Sequence, residues 1–298
     1  MLTLEGLFGV LVMFNAINVM VPKPSPYSLR RIGGDSDGAY LVPDDLDGVQ
    51  ACFSPGVFNF KDFEDELASR YGIRSYMCDF SSDIEKFATP MISGMQVFDK
   101  KWLDVSGDLN SFTLDEWVSL YEPDASSDLI LQMDIEGAEY KNLLHASRQT
   151  LNRFRIIVVE MHGLHAFTNR REAEQGLIPT LTKLNSTHVC VHAHPNNCCG
   201  DFFYKGAGMK IPHVIELTFL RKDRFCRKGA RLIEPSLPHP RDIKQNVDCF
   251  PPLYLDKNWS YKKVAWMRRL LFWISYGFFL KVKSLVLRFK VAARNIAS

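Results

Sequence analysis

The sequence predicts an α/β fold, a mostly parallel seven-stranded sheet with helices on both faces. Three observations predict it. Strand-like and helix-like segments alternate between residues 30 and 225, as they do where crossover helices join parallel strands. Ile156-Ile157-Val158-Val159 is apolar without alternation, as a strand covered on both faces requires. Hydrophobic residues at 46% and charged residues at 23% of 298 positions suit one large core and exclude a disordered or polytopic chain.

The elements follow in order. Residues 7–21 are apolar apart from Asn15 and Asn18, and Glu5 stands where a basic flank would precede a signal anchor. The run is shorter than the ~20 residues of a membrane span. It reads as a helix packed on the domain, and Pro22, Pro24 and Pro26 then impose an extended linker. Residues 49–54 form a first strand, leading through Pro55-Gly56 into a helix over 60–71 with Phe63, Leu67 and Ala68 buried. Residues 73–78 form a second strand ending at Asp79, and a third lies near 95–98. A helix covers 114–121. The strand over 129–133 ends at Asp134 and precedes a helix starting near Gly137. Residues 155–160 are the next strand, 172–184 a helix, and 188–192 and 214–220 a closing pair joined by an Asn- and Gly-rich loop over 195–210. A Pro-containing connection over 226–261 leads to a last segment, 262–298.

That last segment carries nine of the 36 basic residues and none of the 34 acidic ones, so the remainder is net acidic, 27 against 34. An acidic body excludes a nucleic-acid binder. Residues 270–280 are apolar and aromatic between basic flanks, and at ~1.5 Å per residue they cannot cross a ~30 Å core. They suit a helix lying in the membrane interface, or a helix docked on its own domain or on a partner. Seven scattered cysteines with no CxxC spacing read as free thiols in a reducing, cytoplasmic setting.

Open α/β sheets bind ligands beyond the carboxyl ends of their strands. Ser54-Pro55-Gly56, Asp79, Asp134-Ile135-Glu136-Gly137-Ala138-Glu139 and Glu160-Met161-His162-Gly163 occupy four such ends. Each alone is an ordinary helix cap or turn; together they mark a site. GxGxxG, Walker A and GxSxG motifs are absent, which argues against dinucleotide, nucleoside-triphosphate and serine-hydrolase chemistry.

Gln132-Met133-Asp134-Ile135-Glu136-Gly137-Ala138-Glu139-Tyr140 with Ile157-Val158-Val159-Glu160-Met161-His162-Gly163 resembles the FkbM-type methyltransferase family. Arg31-Ile32-Gly33-Gly34, Asp37-Gly38-Ala39-Tyr40, Phe53-Ser54-Pro55-Gly56-Val57 with Phe63-Glu64, Thr113-Leu114-Asp115, His192-Ala193-His194-Pro195-Asn196-Asn197 and Glu216-Leu217-Thr218-Phe219 extend the likeness over about residues 30–225. The sequence departs from the family pattern in its first loop, where a single Gly56 replaces a glycine-rich stretch.

The resemblance implies a Rossmann-like class I methyltransferase fold, S-adenosylmethionine as methyl donor, and as acceptor a hydroxyl on a sugar, glycan or small metabolite. It makes Ser54, Gly56, Asp79, Asp134 and Glu136 the candidate cofactor-binding residues, with Gly56 against the methionine moiety, Asp79 on the ribose and Asp134 near the sulfonium. Histidine titrates near working pH, so His162 is the first candidate general base and His194 the second. Asp134, Glu160 and His162 also make a possible ligand set for a divalent cation, less suited to Mg²⁺ because of the histidine, and no metal is expected. Two other classes remain. A catalytically silent scaffold, membrane-associated through its basic tail, would bind no cofactor. A glycosyltransferase would carry a DxD motif, which Asp134-Ile135-Glu136 imitates only distantly.

Overall fold

The computed structural model describes residues 4–225 and 231–263, with side chains from residue 12. Helix α1 (Leu4–Met20) comes first. It buries Met13, Phe14, Ile17 and Met20 against helix α7 and strand β10, both defined below. No described helix is long and apolar enough to cross a membrane. An antiparallel hairpin, β1 (Leu29–Ile32) and β2 (Tyr40–Pro43), follows. Strand β3 (Val49–Pro55) leads into α2 (Asp62–Tyr71), which has three acidic residues in its first turn and ends on left-handed Gly72 (φ 65°). Strands β4 (Arg74–Cys78) and β5 (Gln96–Asp99) come next, then a short parallel pair, β6 (Trp102–Leu103) and β7 (Ser111–Phe112). Helix α3 (Leu114–Tyr121) starts at a capping box in which Thr113 and Glu116 satisfy each other's backbone N–H.

Strand β8 (Asp128–Met133) is followed by α4 (Glu139–His145) and α5 (Arg148–Arg153), and β9 (Phe154–Met161) is buried along its whole length. Burying its Ile and Val side chains contributes roughly 1.5–3 kcal/mol each. A helical run follows: α6 (Arg170–Glu172), a π turn (Ala173–Leu177) and α7 (Ile178–Thr187). The chain closes with β10 (His188–Pro195), β11 (Asp201–Tyr204), β12 (Met209–Pro212) and β13 (Ile215–Arg221).

The main sheet has the expected seven strands, in the order β10-β13-β9-β8-β3-β4-β5. It is mixed: β13 runs antiparallel to both β9 and β10, and the remaining pairings are parallel. The reversal has a simple cause. Residues 195–210, expected to be a loop, form most of the β11–β12 hairpin, and a hairpin returns the chain beside β10 in the opposite direction.

Helices lie on both faces, as expected, but unequally. One is covered by helices throughout: α1, α3, α4, α5 and α7 pack on Phe53, Leu131, Met133, Ile157, Val159 and Leu217. The other carries α2 and the β1–β2 hairpin over Cys52, Ile130, Ile156, Val158 and Leu220. The hairpin had no clear signal in its own residues, because it is held from outside. Thr218 donates to the Leu41 carbonyl at 2.7 Å, and Gln132 to the Tyr40 hydroxyl at 3.2 Å.

The connection after β13 lies across the end of β10, where His192 Nε2 meets Asp242 at 3.0 Å and Asn197 donates to the carbonyls of Val247 and Phe250. Further along, Trp259 is buried against β12 and donates to the Lys210 carbonyl. The aromatic basic segment over 270–280 lies outside the described residues.

Candidate active site

From β3 the chain steps outward through β4 to β5, then returns to lay β8 against the other side of β3. The carboxyl ends of β3 and β8 therefore flank the crevice where strand order reverses. Gly56 (φ 82°) stands there, and a Cβ on it would lie 1.6 Å from the Asp134 carbonyl oxygen. Only glycine lets the two strand ends approach so closely. Ser54, just before it, is fully buried, with its hydroxyl 3.3 Å from Cys52 Sγ and against the Glu64 carboxyl. Asp79 is held by its own loop: it accepts from the Phe58 N–H at 2.7 Å, the Ser81 N–H at 2.8 Å and the Ser81 hydroxyl at 2.6 Å. A carboxylate offers about four acceptor positions, so roughly one remains for a ligand.

The other half of the edge follows from strand register. Glu160 pairs with Glu216 across β9 and β13, and Glu216 with His194 across β13 and β10. Asp134 extends β8 by one residue beside Glu160. Alternation puts these four on the hairpin face, directly above Gln132, Val158, Thr218 and His192. A bulge between Cys190 and His192 brings the two histidines onto that face. His162, two residues beyond Glu160, continues the same row.

His162 is held from below. Its Nδ1 lies 3.1 Å from Oε1 of Glu139, a side chain with no exposure whose same oxygen accepts from the Ile135 and Gly137 N–H groups. That contact aims Nε2 at Glu136 (3.4 Å), Glu160 (3.8 Å) and Asp134 (3.9 Å). Burial alone would lower the His162 pKa, but Glu139, Asp134 and Glu136 outweigh it and the net shift is upward. Burial pushes the Asp134 carboxyl up to about 7, and burial with the neighbouring charges of Asp134 and Glu216 holds Glu160 well above the carboxylate range. Among the described residues no lysine or arginine forms an ion pair with Asp134, Glu139, Glu160 or Glu216. Asp134 Oδ1 and Glu139 Oε2 are buried with no hydrogen-bond partner.

The structure thus brings Asp134, Glu136 and His162 together beside Gly56. It does not bring His194 to them. His194 lies at the far end of the row behind Glu216, with Nε2 3.2 Å from Asn246 and Nδ1 3.7 Å from Asp242. Asn246 also donates to Glu216 at 2.6 Å, closing that end. Sequence reasoning missed Glu216, Glu139 as an anchor, and the strap residues Asp242 and Asn246. Glu216 was detectable as a lone acid in an apolar strand. Asp242 and Asn246 carry no local signal for this role, since their contacts with His192, His194 and Glu216 lie tens of residues away.

These features define an α/β protein with an open, doubly wound sheet whose switch-point edge is lined by clustered acids and a histidine. Residues 102–188 match the family model of the methyltransferase FkbM domain. The match runs from β6 to the first residue of β10 and includes Asp134, Glu136, Glu139, Glu160 and His162. It supports a methyltransferase. No curated protein matches the chain.

Proposed function

We propose that the protein is an S-adenosylmethionine-dependent O-methyltransferase acting on a hydroxyl of a sugar, glycan or small metabolite. One observation carries the reading. A buried carboxylate oxygen without a donor, Asp134 Oδ1, sits at the switch point beside a histidine oriented by a second buried acid. An unbalanced anionic pocket of this kind fits a cationic sulfonium. The exposed aromatic side chains of Phe58, two residues after Gly56, and of Phe80 stacked on Trp102 at 5.4 Å beyond Asp79, offer flat apolar faces to an adenine or a sugar ring.

When bound, S-adenosylmethionine supplies a methyl group on a positively charged sulfur. Asp134 stabilises that charge, and the remaining acceptor position of Asp79 takes one ribose hydroxyl. The methyl group would pass from sulfur to an acceptor oxygen held in line with it, and His162 Nε2 would take that oxygen's proton. Holding the oxygen in line contributes most of the acceleration, and proton acceptance contributes on the order of 10²–10⁴-fold.

Isothermal titration with S-adenosylhomocysteine tests the reading. Wild-type protein binds, and Asp79→Asn and Asp134→Asn each weaken binding by about tenfold or more. One observation favours a second reading, a catalytically silent module: three donors of the chain already occupy Asp79. Failure of the folded wild-type protein to bind would leave that reading standing.

A further inference from the structure

Three carboxylates surround His162 Nε2 at 3.4, 3.8 and 3.9 Å, yet among the described residues Nε2 hydrogen-bonds to none of them. These separations exceed hydrogen-bond length and match the spacing of ligands around a shared centre. Two atoms each ~2.1 Å from one ion lie at most ~4.2 Å apart. The distances from Nε2 to Glu160 and Asp134 meet that limit, and since the three donor atoms all lie within 4.8 Å of one another, the carboxylate pair needs to close by at most about 0.6 Å to meet it too. From this geometry we propose that Asp134, Glu160 and His162 form a binding site for one divalent cation, of the class that accepts carboxylate and imidazole together, such as Mn²⁺.

Independent observations point to a missing ligand. Asp134 Oδ1, the oxygen facing Nε2, is buried without a donor. The Glu160 side chain is 6% exposed, and its Oε1, the oxygen facing Nε2, accepts from Asn196 at 2.9 Å, which fixes the carboxylate in place. Glu139 fixes the other ring nitrogen of His162, as an outer carboxylate does for a metal-bound imidazole. The two oxygens and one nitrogen suit Mn²⁺ better than Mg²⁺, which favours all-oxygen sites, or Zn²⁺, which favours more nitrogen and sulfur.

This inference deepens the methyltransferase reading and rests on it for its purpose. A cation at this place holds and acidifies the acceptor hydroxyl. With the cation bound, His162 Nε2 is occupied as a ligand, so its role as proton acceptor belongs to the cation-free site, and the proton of the bound hydroxyl passes to the exposed Glu136 carboxylate and solvent.

The experiment is electron paramagnetic resonance titration of the full chain with Mn²⁺, alongside thermal unfolding with and without Mn²⁺ and a separate titration with S-adenosylhomocysteine. Wild-type protein should bind one Mn²⁺ and unfold at a higher temperature with it. Glu160→Gln and His162→Asn should each weaken Mn²⁺ binding by at least tenfold and lose the thermal gain. Glu160→Gln keeps the side chain's shape and its Asn196 contact and removes a buried charge, so it is the variant expected to fold. No Mn²⁺ binding, or equal binding in wild type and both variants, overturns the cation site. If S-adenosylhomocysteine binds in either case, the methyltransferase reading survives that failure. Mn²⁺ binding that depends on both residues, with no S-adenosylhomocysteine binding, keeps the site and removes the methyltransferase reading.

Discussion

The carboxyl edge of the sheet has two halves that resolve their polar groups in opposite ways. Around β3 and β4, Asp79 has three donors and the Gly56 N–H meets the Cys78 carbonyl at 2.9 Å, so the backbone there is packed and satisfied. Around β8, β9 and β13, the Glu160 and Glu216 side chains and the Asp134 Oδ1 atom are buried together, and among the described residues no lysine or arginine forms an ion pair with them. A fold tolerates the first arrangement for its own stability. The second costs free energy in the isolated chain, which makes sense where a ligand completes it. The satisfied half is scaffold, and the unsatisfied half is where chemistry is expected.

The sharpest way to break this contrast is to disturb the scaffold. Gly56→Ala forces a Cβ into the Asp134 carbonyl and a left-handed backbone onto alanine. It should destabilise by more than ~4 kcal/mol, read by urea denaturation. A loss below 1 kcal/mol would mean that β3 and β8 do not meet as described.

In the unsatisfied half the expected effect falls on turnover. His162→Asn should lower methyl transfer by on the order of 10²–10⁴-fold while S-adenosylhomocysteine still binds. Loss of binding together with activity would make His162 a structural residue.

Much of this contrast was legible in the sequence. Alternation and apolar runs located every strand of the main sheet, and the turn residues after β3, β4, β8 and β9 located the edge. What failed did so for physical reasons. Direction of pairing is absent from a strand's own pattern, so the reversal of β13 was missed. The β1–β2 hairpin is anchored by Thr218 and Gln132 and not by its own residues. Ser54 was indistinguishable from a site residue until burial placed its hydroxyl against Cys52 and Glu64.

Glu64 gives the scaffold half a pH test. Burial raises its carboxyl to about 7, above the unfolded value near 4.3. The folded protein therefore holds this proton more tightly, and the stability it contributes is complete below about pH 4 and is lost as pH rises through 7. Glu64→Gln should be more stable than wild type at pH 8, with the advantage vanishing by about pH 4. An equal difference at both pH values would show that Glu64 does not titrate in this window.

The smallest effect belongs to the surface. Arg30 and Asp44 pair at 2.7 Å with side chains 33% and 41% exposed, so water screens most of their attraction. Asp44→Asn should cost no more than ~1 kcal/mol and less in high salt, measured by thermal unfolding at two ionic strengths. The pair lies on β1 and just after β2, where the Asp44 N–H also donates to the Ser28 carbonyl at 2.8 Å. A larger, salt-insensitive loss would mean that this contact positions the hairpin over the acidic row. Because Tyr40 of the same hairpin touches Gln132, one strand position below Asp134, that result would make the hairpin part of the site's architecture.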